Sequence, residues 1–108
     1  MNKHNIKDIN SKLDLWRKSS KKIVFSNGCF DLLHKGHIDM LKKAKFLGDI
    51  LIVGLNSDLS VKILKGKKRP IQDQKTRFSK LLSLNIIDLL LVFEEQNPIK
   101  LIKLETEL

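Results

Sequence analysis

The run DILIVGLN at residues 49–56 constrains the fold most: Ile50, Leu51, Ile52, Val53 and Leu55 form an almost unbroken apolar stretch of strand length, with no alternation that would leave one face in water. A stretch of this kind belongs to a strand covered on both faces, as in a parallel sheet with helices on either side. IIDLLLVF (residues 86–93) contains a second such strand, and KKIVFSNG (21–28) a third that ends in an Asn-Gly turn.

Between these runs the apolar period changes from strand to helix. Met40, Leu41, Ala44 and Leu47 fall on one face of a helix over residues 36–47, with Lys42, Lys43 and Lys45 pointing away and Gly48 as the stop. Residues 57–64 form a short helix. Residues 73–84 form another, with Arg77, Phe78, Leu81, Leu82 and Leu84 near one face. Ile6, Ile9, Leu13 and Trp16 give the N-terminal segment a packing stripe, and Asn97-Pro98 starts a last helix that runs through Leu104. Strand, helix, strand within about 35 residues is a βαβ unit. The fold expected is therefore α/β, a Rossmann-like three-layer sandwich with a parallel sheet: residues 1–20 supply a helix packed on the core, and residues 21–108 form one nucleotide-binding domain.

Ligands of such open sheets bind beyond the carboxyl ends of the strands. Two loops fall there, Asn56-Ser57-Asp58 and NGCFDLLHKGH (residues 27–37). If Gly36 opens a helix, the N–H groups of its first turn make an anion site, on which His34 and His37 converge. Gly36 keeps a side chain out of the gap, and Asn27-Gly28 lets backbone approach a ligand closely. Two imidazole donors beside helix N–H groups suit a phosphate that gains charge in its transition state.

Several plainer readings compete. A histidine at a helix start is commonly a cap or a surface residue. Asp31 either holds a metal or fixes the loop. Zinc on Cys29, His34 and His37 lacks a fourth ligand and the usual spacing, and Cys29 has no identifiable base to activate it as a nucleophile.

The formal charge of +9 attracts polyanions. The excess is nearly all lysine, the arginines being Arg17, Arg69 and Arg77, and there is no Tyr and a single Trp. That composition argues against specific nucleic-acid recognition and for a solvated surface. The one dense cluster is Lys62, Lys65, Lys67, Lys68 and Arg69. A single cysteine fits a reducing, cytoplasmic setting, and no apolar run approaches the ~20 residues of a membrane span.

NGCFD, HKGH, GD, NSD, LKG and RP, in that order and spacing, resemble the HxGH nucleotidyltransferases of the cytidylyltransferase-like superfamily, and within it the D-glycero-beta-D-manno-heptose 1-phosphate adenylyltransferases. The resemblance implies transfer of AMP from ATP to a sugar 1-phosphate with release of pyrophosphate, in lipopolysaccharide precursor synthesis, with Mg²⁺ accompanying ATP. It implies that His34, His37 and Lys65 are catalytic. It further implies that Asn27, Gly28, Cys29, Phe30, Asp31, Gly36 and Arg77 serve the nucleotide, and that Asn56 and Asp58 face the phosphorylated sugar. Cytidylyl transfer to glycerol phosphate or a related alcohol phosphate is the alternative within the class, and a non-catalytic nucleotide-binding or interaction module the alternative outside it. Members of the family continue with a further strand, a glycine-rich segment and a Ser/Thr-rich helix start, whereas this sequence ends at KLIKLETEL. The expectation is thus a domain short of its last strand or strands, with its first strand at an edge, open to a homo-oligomer or to a chain that completes it.

Overall fold

The computed structural model describes residues 6–94. Its elements in chain order are α1 (Ile6–Lys18), β1 (Ile23–Gly28), α2 (Lys35–Phe46), β2 (Ile50–Asn56), α3 (Asp58–Lys65), α4 (Gln74–Leu82) and β3 (Leu89–Phe93). The helix expected after Asn97 lies outside the described residues.

The strands form a parallel sheet in the order β1-β2-β3. Every residue of β2 is buried, as its unbroken apolar run requires. Odd and even residues then sort the core. Ile50 and Ile52, with Leu89 and Leu91, meet Leu13 and Trp16 of α1 on one face. Leu51, Val53 and Leu55, with Leu90, meet Phe30, Leu41 of α2, and Phe78 and Leu81 of α4 on the other. The result is three layers, α1, sheet, and α2 with α4. Among the described residues β1 is an edge strand, and α1 packs on a sheet face rather than along that edge.

At the amino ends of the strands, polar groups set the register. Asp49 accepts from Lys22 N at 2.8 Å, and Asp88 Oδ2 accepts from Leu51 N at 2.7 Å and from Lys45 Nζ at 2.6 Å. Lys45 is therefore a partner of Asp88 across the βα unit and not a residue turned away to solvent. Gly48 is constrained by packing: a Cβ there would lie 2.6 Å from Val24 Cγ2 and 2.9 Å from Lys22 O, and its φ is not left-handed. The buried stripe of α2 is carried by Leu41 and the half-buried Ala44, whereas Leu47 is exposed at the C-cap and Met40 faces elsewhere. Leu82 is likewise exposed, which leaves Arg77, Phe78 and Leu81 as the buried side of α4.

The chain also turns later than Asn-Gly chemistry suggests. Asn27 and Gly28 continue β1, paired with Gly54 and Leu55. The reversal falls on residues 29–34, where Phe30 (φ 48) and Leu32 (φ 58) occupy the left-handed region. Burial of Phe30 in the core holds it there.

Leu13 is wholly buried and Leu15 is 62% exposed on the same helix. Leu13→Ala is expected to cost about 2–5 kcal/mol in urea unfolding, and Leu15→Ala to stay within about 0.5 kcal/mol.

Candidate functional site

Beyond the carboxyl ends of β1 and β2 lies a cavity of about 630 Å³ whose walls include Asn27, Gly28, Cys29, Phe30, Asp31, His34, His37, Asn56 and Lys65. Gly36 belongs to the same helix start but contributes its effect through His34. His34 is the N-cap of α2, Gly36 the second helical residue and His37 the third.

The two rings cap the helix reciprocally. His34 Nδ1 accepts from Gly36 N at 3.0 Å, and His37 Nδ1 accepts from His34 N at 3.3 Å. This changes the anion site expected from the sequence, because the first-turn N–H of Gly36 and the N-cap N–H of His34 are directed at imidazoles instead of a ligand. A backbone N–H can only donate, so each Nδ1 must carry a lone pair and the ring proton of each neutral histidine sits on Nε2. Each ring thus keeps its Nε2–H free of the cap, and both rings line the cavity. The rings stack with centroids 3.8 Å apart, and the Phe30 ring meets His37 edge-on at 5.6 Å. Gly36 is the condition for this arrangement: a Cβ there would lie 2.8 Å from His34 Cε1. Capping and ligand binding are consequently two uses of the same residues.

Burial, then the neighbouring His34 and Lys65, hold the His37 imidazole below its ordinary pKa. It is therefore neutral at pH 7.

Asp31 does not orient either histidine. Its carboxylate accepts from Ile71 N at 2.7 Å, Gln72 N at 2.9 Å and Arg69 Nε at 2.8 Å. Burial raises its pKa, but the Gln72 and Ile71 N–H groups and the Arg69 guanidinium outweigh that and hold it below the usual carboxylate value. Of its two sequence readings, metal ligand or loop anchor, the geometry is that of the anchor.

Arg77 is 1% exposed and lies behind the cavity wall rather than in it. Nε donates to Gln72 O at 2.9 Å, Nη1 to Cys29 O at 2.9 Å and Asn56 O at 2.7 Å, and Nη2 to Asp58 at 2.8 Å. Its guanidinium fastens the ends of β1 and β2 and the start of α3, so any support it gives a phosphate is indirect. Asp58 is committed to that pair, whereas the buried Asn56 reaches the cavity wall. Lys65, the last residue of α3, is exposed and lines the cavity. Cys29 is a half-buried free thiol whose carbonyl, not its sulfur, is engaged.

Sequence reasoning missed Leu32, Met40, Leu64 and Arg69 in the wall. Met40 could have been found, since it lies one helical turn after His37. Arg69 was indistinguishable from the solvated lysines beside it.

The cytidylyltransferase-like family matches residues 25–106. The bifunctional protein HldE of Helicobacter pylori strain Shi470 is 62% identical over 91 residues, 84% of this chain and 20% of the relative. HldE of strain P12 is 68% identical over 83 residues, 77% of this chain and 18% of the relative. The chain thus spans about a fifth of the length of these curated relatives. Among solved structures, the lipopolysaccharide core biosynthesis protein of Thermoplasma volcanium GSS1 superposes with a TM-score of 0.68 at 32% identity, covering 80% of this chain and 68% of that one. Pantoate-beta-alanine ligase of Francisella tularensis, complexed with Beta-gamma ATP and Beta-alanine, gives 0.62 at 28%, covering 89% and 36%.

Two outcomes follow from the geometry. Arg77→Met strands three carbonyls and should cost about 3–5 kcal/mol. Asp58→Asn keeps an acceptor for Nη2 but removes the charge that balances the buried guanidinium; because the Asp58 side chain is 43% exposed and water offsets part of the loss, it should cost about 1–3 kcal/mol in the same urea titration. Because folding depresses the His37 pKa, the unfolded chain binds the extra proton as pH falls through about 6.5. Its contribution is complete above that pH and declines below it, with a slope of at most about 1.4 kcal/mol per pH unit. Unfolding followed between pH 7.5 and 5.5 should show this decline, and His37→Asn should flatten it.

Proposed function

Because this chain belongs to the cytidylyltransferase-like family, we propose that its cavity carries nucleotidyl transfer, moving AMP from ATP to heptose 1-phosphate with release of pyrophosphate. The observation that carries the reading is the pair of Nε2–H donors of His34 and His37, locked in tautomer and set beside Lys65 in one cavity. The lipopolysaccharide core biosynthesis protein among its structural neighbours, and the ligase complexed with Beta-gamma ATP, support the acceptor class and the nucleotide.

The chemistry asks little of acid–base groups. The attacking oxygen belongs to a phosphate whose second pKa is about 6, so at neutral pH it carries no proton to remove. It bonds to the α-phosphorus as the bond to the β-phosphate oxygen breaks, and the electron pair leaves with pyrophosphate. Charge grows on the non-bridging oxygens, where preorganised Nε2–H donors act more strongly on the transition state than on the ground state. The Lys65 ammonium offsets the charge of two phosphorylated ligands brought together. Mg²⁺ would enter on the triphosphate, which fits a cavity whose carboxylate, Asp31, already accepts from three donors.

Pyrophosphate release should be measured with ATP and CTP against heptose 1-phosphate and glycerol 3-phosphate. Turnover with ATP and the heptose is expected, CTP with glycerol phosphate would move the assignment within the class, and none with any pair would sink it. ATP binding without turnover would indicate a nucleotide-binding module. Given turnover, His34→Asn and His37→Asn should each lower kcat about 10²- to 10³-fold, with KM for ATP changing far less.

A further inference from the structure

Arg69 follows the lysines of the basic loop, yet it is built in rather than left to solvent. Its Nε donates to Asp31, whose side chain is 1% exposed, and its own side chain is 34% exposed. It lines the same cavity as His34, His37 and Lys65. A guanidinium has five N–H donors in a rigid fork, and the bond to Asp31 uses only the one on Nε. Among the described residues no partner holds the Nη edge. A lysine at this position would supply the charge, but it could not satisfy Asp31 and present a planar pair of donors at the same time. In a chain whose positive charge is nearly all lysine, this position takes one of the three arginines.

Asp31 is suited to the holding role by the rest of its bonds. The N–H groups of Ile71 and Gln72 fix both carboxylate oxygens, so the acceptor offered to Nε cannot rotate away. Gln72 O in turn accepts from Arg77, which fastens Cys29 O two residues before Asp31. The segment carrying Arg69 is thereby tied to the loop carrying the histidines.

We propose that Arg69 is a second anion clamp of this cavity, gripping the phosphate of the acceptor through its Nη edge, with Asp31 as its positioning residue. The inference rests on the nucleotidyl-transfer reading, in which two phosphorylated ligands occupy one cavity and need two sets of donors. The histidine pair serves the triphosphate and Lys65 offsets the charge of both ligands, which leaves the acceptor phosphate without a directional donor of its own. The planar fork suits two oxygens of a terminal phosphate monoester.

The test uses the full chain and Arg69→Gln, Arg69→Lys, Asp31→Asn and the double variant Asp31→Asn/Arg69→Gln. In turnover, Arg69→Gln should raise KM for the phosphate acceptor about 10- to 100-fold while KM for ATP changes no more than about threefold, and Arg69→Lys should restore only part of the loss. Inorganic phosphate, titrated against the chain and followed by NMR, provides a readout that needs no turnover: Arg69→Gln should bind it at least about tenfold more weakly. Equal phosphate affinity in the wild type and Arg69→Gln, or no phosphate binding by the wild type, overturns the clamp even if the enzyme turns over. Loss of phosphate binding in Arg69→Gln with no wild-type turnover discards the reaction and keeps the clamp. Asp31→Asn should weaken phosphate binding, and the double variant should be no worse than Arg69→Gln alone; additive losses would remove Asp31 from the assignment. Should Asp31→Asn fail to fold, the wild-type Arg69 Nε–H resonance decides the pairing: slow exchange with solvent supports it and fast exchange overturns it.

Discussion

The guanidinium of Arg77 is the point on which the rest of the site depends. A parallel sheet fixes its strands by ladder hydrogen bonds, but those bonds end at Gly28 and Asn56, and the loops beyond them have no ladder to hold them. Arg77 supplies the missing connection by drawing the Cys29 and Asn56 carbonyls onto one nitrogen. A buried cation is costly to desolvate, and this one is tolerable because each of its nitrogens finds an acceptor and Asp58 balances its charge. Such a group contributes less to net stability than to the choice of a single geometry. Asp31 is its counterpart of opposite sign, and the two meet at Gln72, whose N–H serves one and whose C=O serves the other.

Upon that frame, α2 begins with side chains acting as caps. A helix start presents partial positive charge in any case, but bare N–H groups are weakly selective about what they bind. Directing the N–H groups of Gly36 and His34 into imidazole Nδ1 atoms leaves Nε2 as the ring donor and fixes which atom carries the proton. The stacking of His34 on His37 and the edge of Phe30 then restrict ring rotation.

Features governed by short-range pattern were legible in the sequence. The apolar run of residues 50–55 could only be a buried strand, and the spacing of His34, Gly36 and His37 marked a helix start. What escaped was set by contacts across long stretches of chain. Asn27-Gly28 has the local chemistry of a turn, but pairing with β2 extends the strand through it, and burial of Phe30 moves the reversal onward. Arg69 reads as one more cation in KGKKRP, and only its bond to Asp31, 38 residues earlier, separates it from its neighbours. The family resemblance implies a nucleotide role for Arg77, whereas three backbone carbonyls and Asp58 claim its guanidinium, and carbonyls leave no trace in residue identity. Gly48 does follow the end of α2, but its close fit to Val24 and Lys22, and the bond of Lys45 to Asp88 43 residues on, depend on contacts that local pattern does not carry.

The close approach of the His34 ring to the backbone at Gly36 carries a consequence for how such a motif can vary. A Cβ at position 36 would drive the ring from its seat, unmake the cap and release the tautomer, whereas the side chain of the exposed Lys35 makes neither cap bond. A four-letter signature that looks like a list of ligands thus also encodes one steric fit, its glycine marking where the edge of an imidazole meets the backbone.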